Sequence, residues 1–169
     1  MTNTKKRPLQ IAVLLSGSGT SLENLFEQIA DGSLPATKIA VVISSKHNAG
    51  GLQRARRHGV PAITIARKDF PTGKAFNDAL HAELAKYEID LVALLGFLSI
   101  FEPRARFQGR AINVHPALIP AFCGKGFYGH HVHEAVLKHG AKLSGATVHC
   151  VDDQDDHGAI ILQNAGGGE

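Results

Sequence analysis

Apolar runs and helical stretches alternate along the chain, and that alternation limits the folds open to it. Residues 9–15, 39–44 and 91–95 are nearly unbroken runs of apolar residues, the length of buried strands. Between them come segments with helical spacing, such as Leu22, Leu25, Phe26 and Ile29, or Phe76, Leu80 and Leu84. A strand that is apolar throughout must be covered on both faces, whereas a half-exposed antiparallel strand alternates. The pattern therefore predicts a three-layer α/β domain, a mainly parallel twisted sheet with helices on both faces. Expected strands cover 9–15, 39–44, 62–65, 91–95, 111–114, 146–151 and 160–163. Expected helices cover 22–30, 52–58, 76–88 and 132–139.

The 169 residues suit a single domain. A content of 44% hydrophobic and 20% charged residues excludes a mainly disordered chain. Lys5, Lys6 and Arg7 before the first apolar run imitate a signal peptide, but Gln10 interrupts the run and no A-x-A site follows. Residues 1–8 read instead as a basic arm, and 164–169, with Gly166-Gly167-Gly168, as a frayed or truncated end. No apolar run approaches the ~20 residues of a membrane span. Cys123 and Cys150 are too few for a disulfide framework and read as reduced thiols of a cytoplasmic protein. A net charge of +3 suits an anionic small ligand as readily as nucleic acid. With no Trp and 6% aromatics, base-stacking platforms are scarce.

In such sheets ligands bind beyond the carboxyl ends of the strands, which singles out 16–21, 96–101, 113–116 and 152–158. Ser16-Gly17-Ser18-Gly19-Thr20-Ser21 joins the first strand to the first helix. Small residues there let backbone N–H groups approach an anion, aided by the helix dipole; Thr20 or Ser21 also suits a plain helix cap. A dinucleotide fingerprint would need glycine at Leu22 and an acid after the second strand, and a Walker loop would need Gly-Lys-Ser/Thr. A monophosphate site or a capped turn remains.

Asn113 and His115 lie two apart at a strand's end, so their side chains share a face. An amide beside an imidazole suits a carbonyl that becomes an oxyanion. The acidic run 152–156 reads as a solvated turn or as the source of a carboxylate facing His115; calcium is rejected because His157 and Asn164 fall at required ligand positions. His130, His131 and His133 invite zinc, but H-E-x-x-H would need histidine at Leu137, and no metal is expected. The segment 124–129 reads as a basic loop over a site or as plain surface.

Four stretches together resemble the phosphoribosylglycinamide formyltransferase family: IAVLLSGSGTSLENL, VALLGFLSIF, INVHPALIPAFCGKGFYGHHVHEAVLKHG and GATVHCVDDQDDHGAIILQ. The resemblance implies a formyltransferase fold with a Rossmann-like N-terminal half. It also implies formyl transfer from 10-formyltetrahydrofolate to the amine of glycinamide ribonucleotide, in purine synthesis. The family's catalytic trio falls on Asn113, His115 and Asp156, and its substrate-phosphate loop on Gly19, Thr20 and Ser21. A further active-site histidine matches His149. The folate segment falls on Leu98, Ser99, Ile100 and Phe101, with Asn113 also on the cofactor side and Lys74 next to Gly73, where a basic residue is usual. Ser99 stands where Arg is frequent in the family, and Gly158-Ala159 where Gly-Pro is usual. Expected partners are the two small molecules alone, without nucleic acid or membrane, for a monomer or homodimer. Methionyl-tRNA formyltransferase and formyltetrahydrofolate deformylase share part of the core, but each carries an added domain, and the deformylase usually has His where this chain has Pro116. A non-catalytic ligand-binding relative is the remaining alternative.

Overall fold

The computed structural model describes residues 7–124, 126, 127, 130–152 and 156–167. In chain order the elements are β1 (Leu9–Leu15), α1 (Thr20–Ala30), β2 (Thr37–Ser44), α2 (Gly50–Arg57), β3 (Ala62–Thr64), α3 (Gly73–Leu84), β4 (Leu91–Leu94), α4 (Arg104–Phe107), β5 (Ala111–His115), α5 (His130–Lys138), β6 (Leu143–Cys150) and β7 (Ile160–Gly167). A short 3-10 turn covers Arg67–Asp69. The strands form one sheet in the order β3-β2-β1-β4-β5-β6-β7. The pairs from β3 to β5 are parallel, and β5–β6 and β6–β7 are antiparallel. This is the expected mainly parallel three-layer architecture.

Both faces of the parallel part are buried, as the apolar runs require. Ala12, Leu14, Val41, Ile43, Val92, Leu94 and Ala111 pack against Phe76, Leu80 and Leu84 of α3 and against Phe101 and Phe107. On the other face Ile11, Val13, Leu15, Ile39, Val42 and Ala93 meet Leu22 and Phe26 of α1 and Leu52 and Ala55 of α2. Each fully buried Leu or Phe contributes about 1.5–3 kcal/mol. Within the basic arm, Arg7 forks onto Asp90 at 2.7 and 2.8 Å; residues 1–6 lie outside the described residues.

Several boundaries differ from expectation for local reasons. The third helix starts at Gly73 rather than 76 because the Thr72 hydroxyl caps it, accepting the Ala75 N–H at 3.1 Å. It ends at Leu84, four residues early. Neither Thr20 nor Ser21 caps α1: the N-cap is Gly19 at φ 76°, and no side chain bonds there. The last strand runs on to Gly167, which pairs with Leu143, where a frayed end was expected from 164. Glycines carry no side-chain signal for a strand, but β6 offers backbone partners along its length. The two short helical turns at 67–69 and 104–107 are too brief for a periodic signal.

Candidate active site

The register of the antiparallel strands builds the site. Asn113 pairs across strands with His149, and His115 with Thr147; Thr147 pairs in turn with Gln163 of β7. Residues directly opposite share a face of the sheet, so two rows of polar side chains lie side by side. Asn113 and His115 do share a face, as the two-residue period predicts.

Asp156 enters from the turn after β6 in a left-handed conformation, φ 53°, which Asp tolerates better than most residues. One carboxylate oxygen, Oδ2, accepts the Gly124 N–H at 3.1 Å and lies 3.4 Å from His115 Nδ1. The other, Oδ1, lies 3.3 Å from His149 Nε2 and 3.4 Å from Asn113 Nδ2. His115 Nε2 meets the Phe122 carbonyl oxygen at 2.8 Å, so both its ring nitrogens face acceptors. His149 Nδ1 donates to the Cys150 carbonyl at 2.8 Å, which leaves Nε2 as the nitrogen that changes role. Unprotonated, it accepts from Asn113 Nδ2 at 3.1 Å; protonated, it donates to Asp156.

Electrostatics follow from this geometry. The hydrogen bond to Asp156 raises the His149 pKa; burial acts downward and is outweighed. For Asp156 the largest influence is burial, acting upward, but the bonds from His149 and Gly124 N–H and the nearby charges of His115 and His149 together bring its pKa below the usual carboxylate value. Burial, with Asp156 adding to it, pushes the neighbouring Cys123 thiol up. The expected carboxylate is thus shared by two histidines, and the shift toward the charged form falls on His149. Asp153, Gln154 and Asp155 of the acidic run, and Lys125, Tyr128 and Gly129 of the expected loop over the site, lie outside the described residues.

This cluster closes one end of a cavity of about 310 Å³ lined by Leu94, 96–101, 113–116, Phe127, His149 and Asp156 among others. The expected folate segment therefore forms a wall of the same cavity. Leu98 and Ile100 are 43% and 57% exposed, whereas Phe101 is 1% exposed and stacks on His81, so Phe101 supports the wall from within the core. Asn77, unforeseen from sequence, latches this segment: its amide donates to the Ile100 carbonyl and accepts the Glu102 N–H, at 3.1 and 2.9 Å. Lys74 is not brought to the cavity; its ammonium pairs with Asp78 at 2.9 Å along α3, because a residue at the second helical position points along the helix flank. A hollow of about 720 Å³ at the other end of the strands, beside Gln10, Lys38 and Tyr87, holds none of the expected residues.

The loop 16–21 abuts the cavity wall. Ser16 Oγ accepts the Leu98 N–H at 2.8 Å and is hydrogen-bonded to Ser45 Oγ. Gly19 is required twice over. Its φ is positive, and a Cβ there would come within 2.5 Å of Gly51 Cα. Arg54, whose place in a basic helix gives no sequence signal for this contact, donates from Nε to the Ser18 carbonyl at 2.8 Å and from Nη1 to Glu23 at 3.1 Å. The first amides of α1 thus start beside a guanidinium, a suitable setting for an anion. Among the described residues no three His, Cys, Asp or Glu side chains are grouped to hold a metal ion.

Comparison with known proteins agrees in extent and kind. The family model described as Formyl transferase matches residues 9–166. A chloroplastic phosphoribosylglycinamide formyltransferase of Vigna unguiculata is 39% identical over 160 residues, which is 93% of this chain and 51% of the relative. The phosphoribosylglycinamide formyltransferase of Haemophilus influenzae is 38% identical over 156 residues, 91% of this chain and 71% of that one. The crystal structure of glycinamide ribonucleotide transformylase 1 from Symbiobacterium toebii superposes with a TM-score of 0.87 at 38% identity, covering 99% of this chain and 77% of that one. The chain thus spans about half the length of the plant relative it matches.

Proposed function

The chain belongs to the formyl transferase family, and from that premise we propose that it moves the formyl group of 10-formyltetrahydrofolate to the amine of glycinamide ribonucleotide, a step of purine synthesis. The observation that carries this reading is one buried carboxylate, Asp156, shared between His115 and His149 beside the amide of Asn113, at the end of a cavity walled by 96–101. Relatives bearing that activity in their names match over most of this chain.

The residues fit both substrates. Exposed Leu98 and Ile100 give a pterin ring apolar contact, and half-buried Ser99 leaves room beside it. Gly19, Thr20 and Ser21 present the first amides of α1 for a phosphate, with Arg54, itself paired with Glu23, holding the Ser18 carbonyl of the loop. With the phosphate fixed there, the amine reaches toward Asn113, where it replaces N10 on the formyl carbon.

Each site group then has a task. Charge develops on the formyl oxygen, and Asn113 Nδ2, which faces His149 Nε2 and Asp156 Oδ1, has an N–H to offer it when His149 is protonated and no longer accepts from the amide. His115 has its Nε2 committed to the Phe122 carbonyl and its Nδ1 beside Asp156, so when charged it contributes the positive field of a ring that donates on both sides. A direct proton donation by His115 requires Nε2 to leave that carbonyl. The attacking amine must lose one proton and N10 must gain one. The Asp156–His149 pair, whose pKa values move apart in opposite directions, is the group beside Asn113 able to hold it.

The test offers the purified protein 10-formyltetrahydrofolate with either glycinamide ribonucleotide or methionyl-tRNA. Formylated glycinamide ribonucleotide is the expected product. Formylation of the tRNA alone, or binding of both small molecules without turnover, overturns the reading.

A further inference from the structure

We propose that Thr147 and Gln163 are positioning residues that set His115 and Asp156 by clamping the loop between them. This rests on the formyl-transfer reading of the same site.

The loop after β5 holds two backbone groups that the site depends on. The Phe122 carbonyl accepts from His115 Nε2, and the Gly124 N–H donates to Asp156 Oδ2. Phe122 sits at φ 51°, a left-handed conformation that a bulky side chain disfavours. Such a backbone persists only where its surroundings fix it.

Two side chains, Thr147 and Gln163, do the fixing. Thr147 is fully buried, and its hydroxyl donates to the Ala117 carbonyl at 2.7 Å while accepting the Ile119 N–H at 3.1 Å. Gln163 Nε2 donates to the Ile119 carbonyl at 2.9 Å and to the Thr147 hydroxyl at 3.0 Å. Thr147 stands directly opposite His115, and Gln163 directly opposite Thr147. One row across three strands therefore carries the imidazole at one end and, at the other, the two side chains that hold the loop bonded to it. The Thr147 hydroxyl has one proton and two lone pairs, and all are used. Neither side chain lines the cavity, so their effect on chemistry passes through the loop.

The experiment compares Thr147→Val, Thr147→Ser and Gln163→Ala with the wild type in full steady-state kinetics and in 15N-histidine spectra. Valine keeps the shape and deletes the hydroxyl, and serine restores it. Thr147→Val should lower kcat by about 10- to 100-fold, as a misplaced catalytic group does, with KM for both substrates within about threefold. Thr147→Ser should recover most of that loss. Gln163→Ala, at an exposed position, should give a smaller loss in the same direction and should add nothing to Thr147→Val, because the two act through one network. The His115 ring signals should shift in Thr147→Val and Gln163→Ala while those of His47, remote from the clamp, stay put. Wild-type kcat with unshifted His115 signals in Thr147→Val overturns the proposal, as does an equal loss in Thr147→Ser. If Thr147→Val fails to fold, Gln163→Ala decides alone: unchanged kcat and His115 signals overturn the proposal, and a lowered kcat with shifted signals supports it. The spectra need no turnover, so a wild type inactive toward glycinamide ribonucleotide would sink the functional reading and leave the clamp tested.

Discussion

His115 is 3% exposed and has an oxygen before each ring nitrogen. His115→Ala should therefore reduce turnover by about 10²–10³-fold while both substrates still bind, measured by kinetics alongside calorimetry. Near-normal turnover would remove it from the mechanism. Asp156 and His149 make a second prediction, in pH. The His149 pKa is raised in the fold, so its contribution to stability is complete below its ordinary value near 6.5 and is lost as pH rises through the folded value. The Asp156 pKa is lowered, so its contribution is complete above its ordinary 3.8 and is lost as pH falls through the folded value. Asp156→Asn keeps the shape and tolerates φ 53°, but removes the charge. The stability gap between wild type and variant should be widest between about pH 4 and 6.5 and should narrow above that, read from denaturant midpoints. The His149 titration, followed by NMR, should move to lower pH in the variant. An unmoved titration would show that Asp156 does not govern this histidine.

The elements that present the site are held by few polar ties, and these are the places to cut. Asn77 is 1% exposed and ties α3 to the segment before α4. Asn77→Ala removes the bonds to the half-buried Ile100 carbonyl and Glu102 N–H, at about 0.5–1.5 kcal/mol each. Folate affinity should fall more than glycinamide ribonucleotide affinity; an equal loss would mean that 98–102 is not the folate wall. Gly19→Ala should cost about 1–2 kcal/mol for the left-handed backbone alone and more for the approach to Gly51, whereas a Cβ on Gly17 meets nothing within 4 Å. Thermal melts that fail to separate Gly19→Ala from Gly17→Ala would refute that account. Much at this scale was legible beforehand. The unbroken apolar runs could only be strands covered on both faces, and the two-residue step from Asn113 to His115 set their common face. What escaped were ties over long sequence distance: Asn77 to Ile100, Thr147 to Ile119, Arg54 to Ser18. Backbone acceptors such as the Phe122 carbonyl leave no mark in residue identity at all. Thr147 did carry one signal, its place two before His149, which puts it on the same face.

For the whole molecule, the sheet changes character from one edge to the other. The parallel strands are sealed by helices, while β7 shows Ile160, Ile161 and Leu162 at 47%, 57% and 62% exposure and bears no charged residue over Ile160–Gly167. An uncharged apolar edge strand promotes association. Leu162→Lys should leave the melting temperature unchanged and reduce concentration-dependent self-association in sedimentation velocity; equal association in both proteins would show that this edge takes no part.

The central position of β1 has a consequence for synthesis. It precedes the other strands of this sheet in the chain, yet it is flanked by β2 on one side and by β4 on the other, and Ile11, paired with Ile39 of β2, finds its second partner only at Leu91 of β4. At ribosomal rates of about 5–20 residues per second, roughly 4–16 s separate the emergence of those two strands. For that interval the nascent chain offers an open, largely apolar strand edge to whatever else is leaving neighbouring ribosomes, and the finished protein keeps no trace of it.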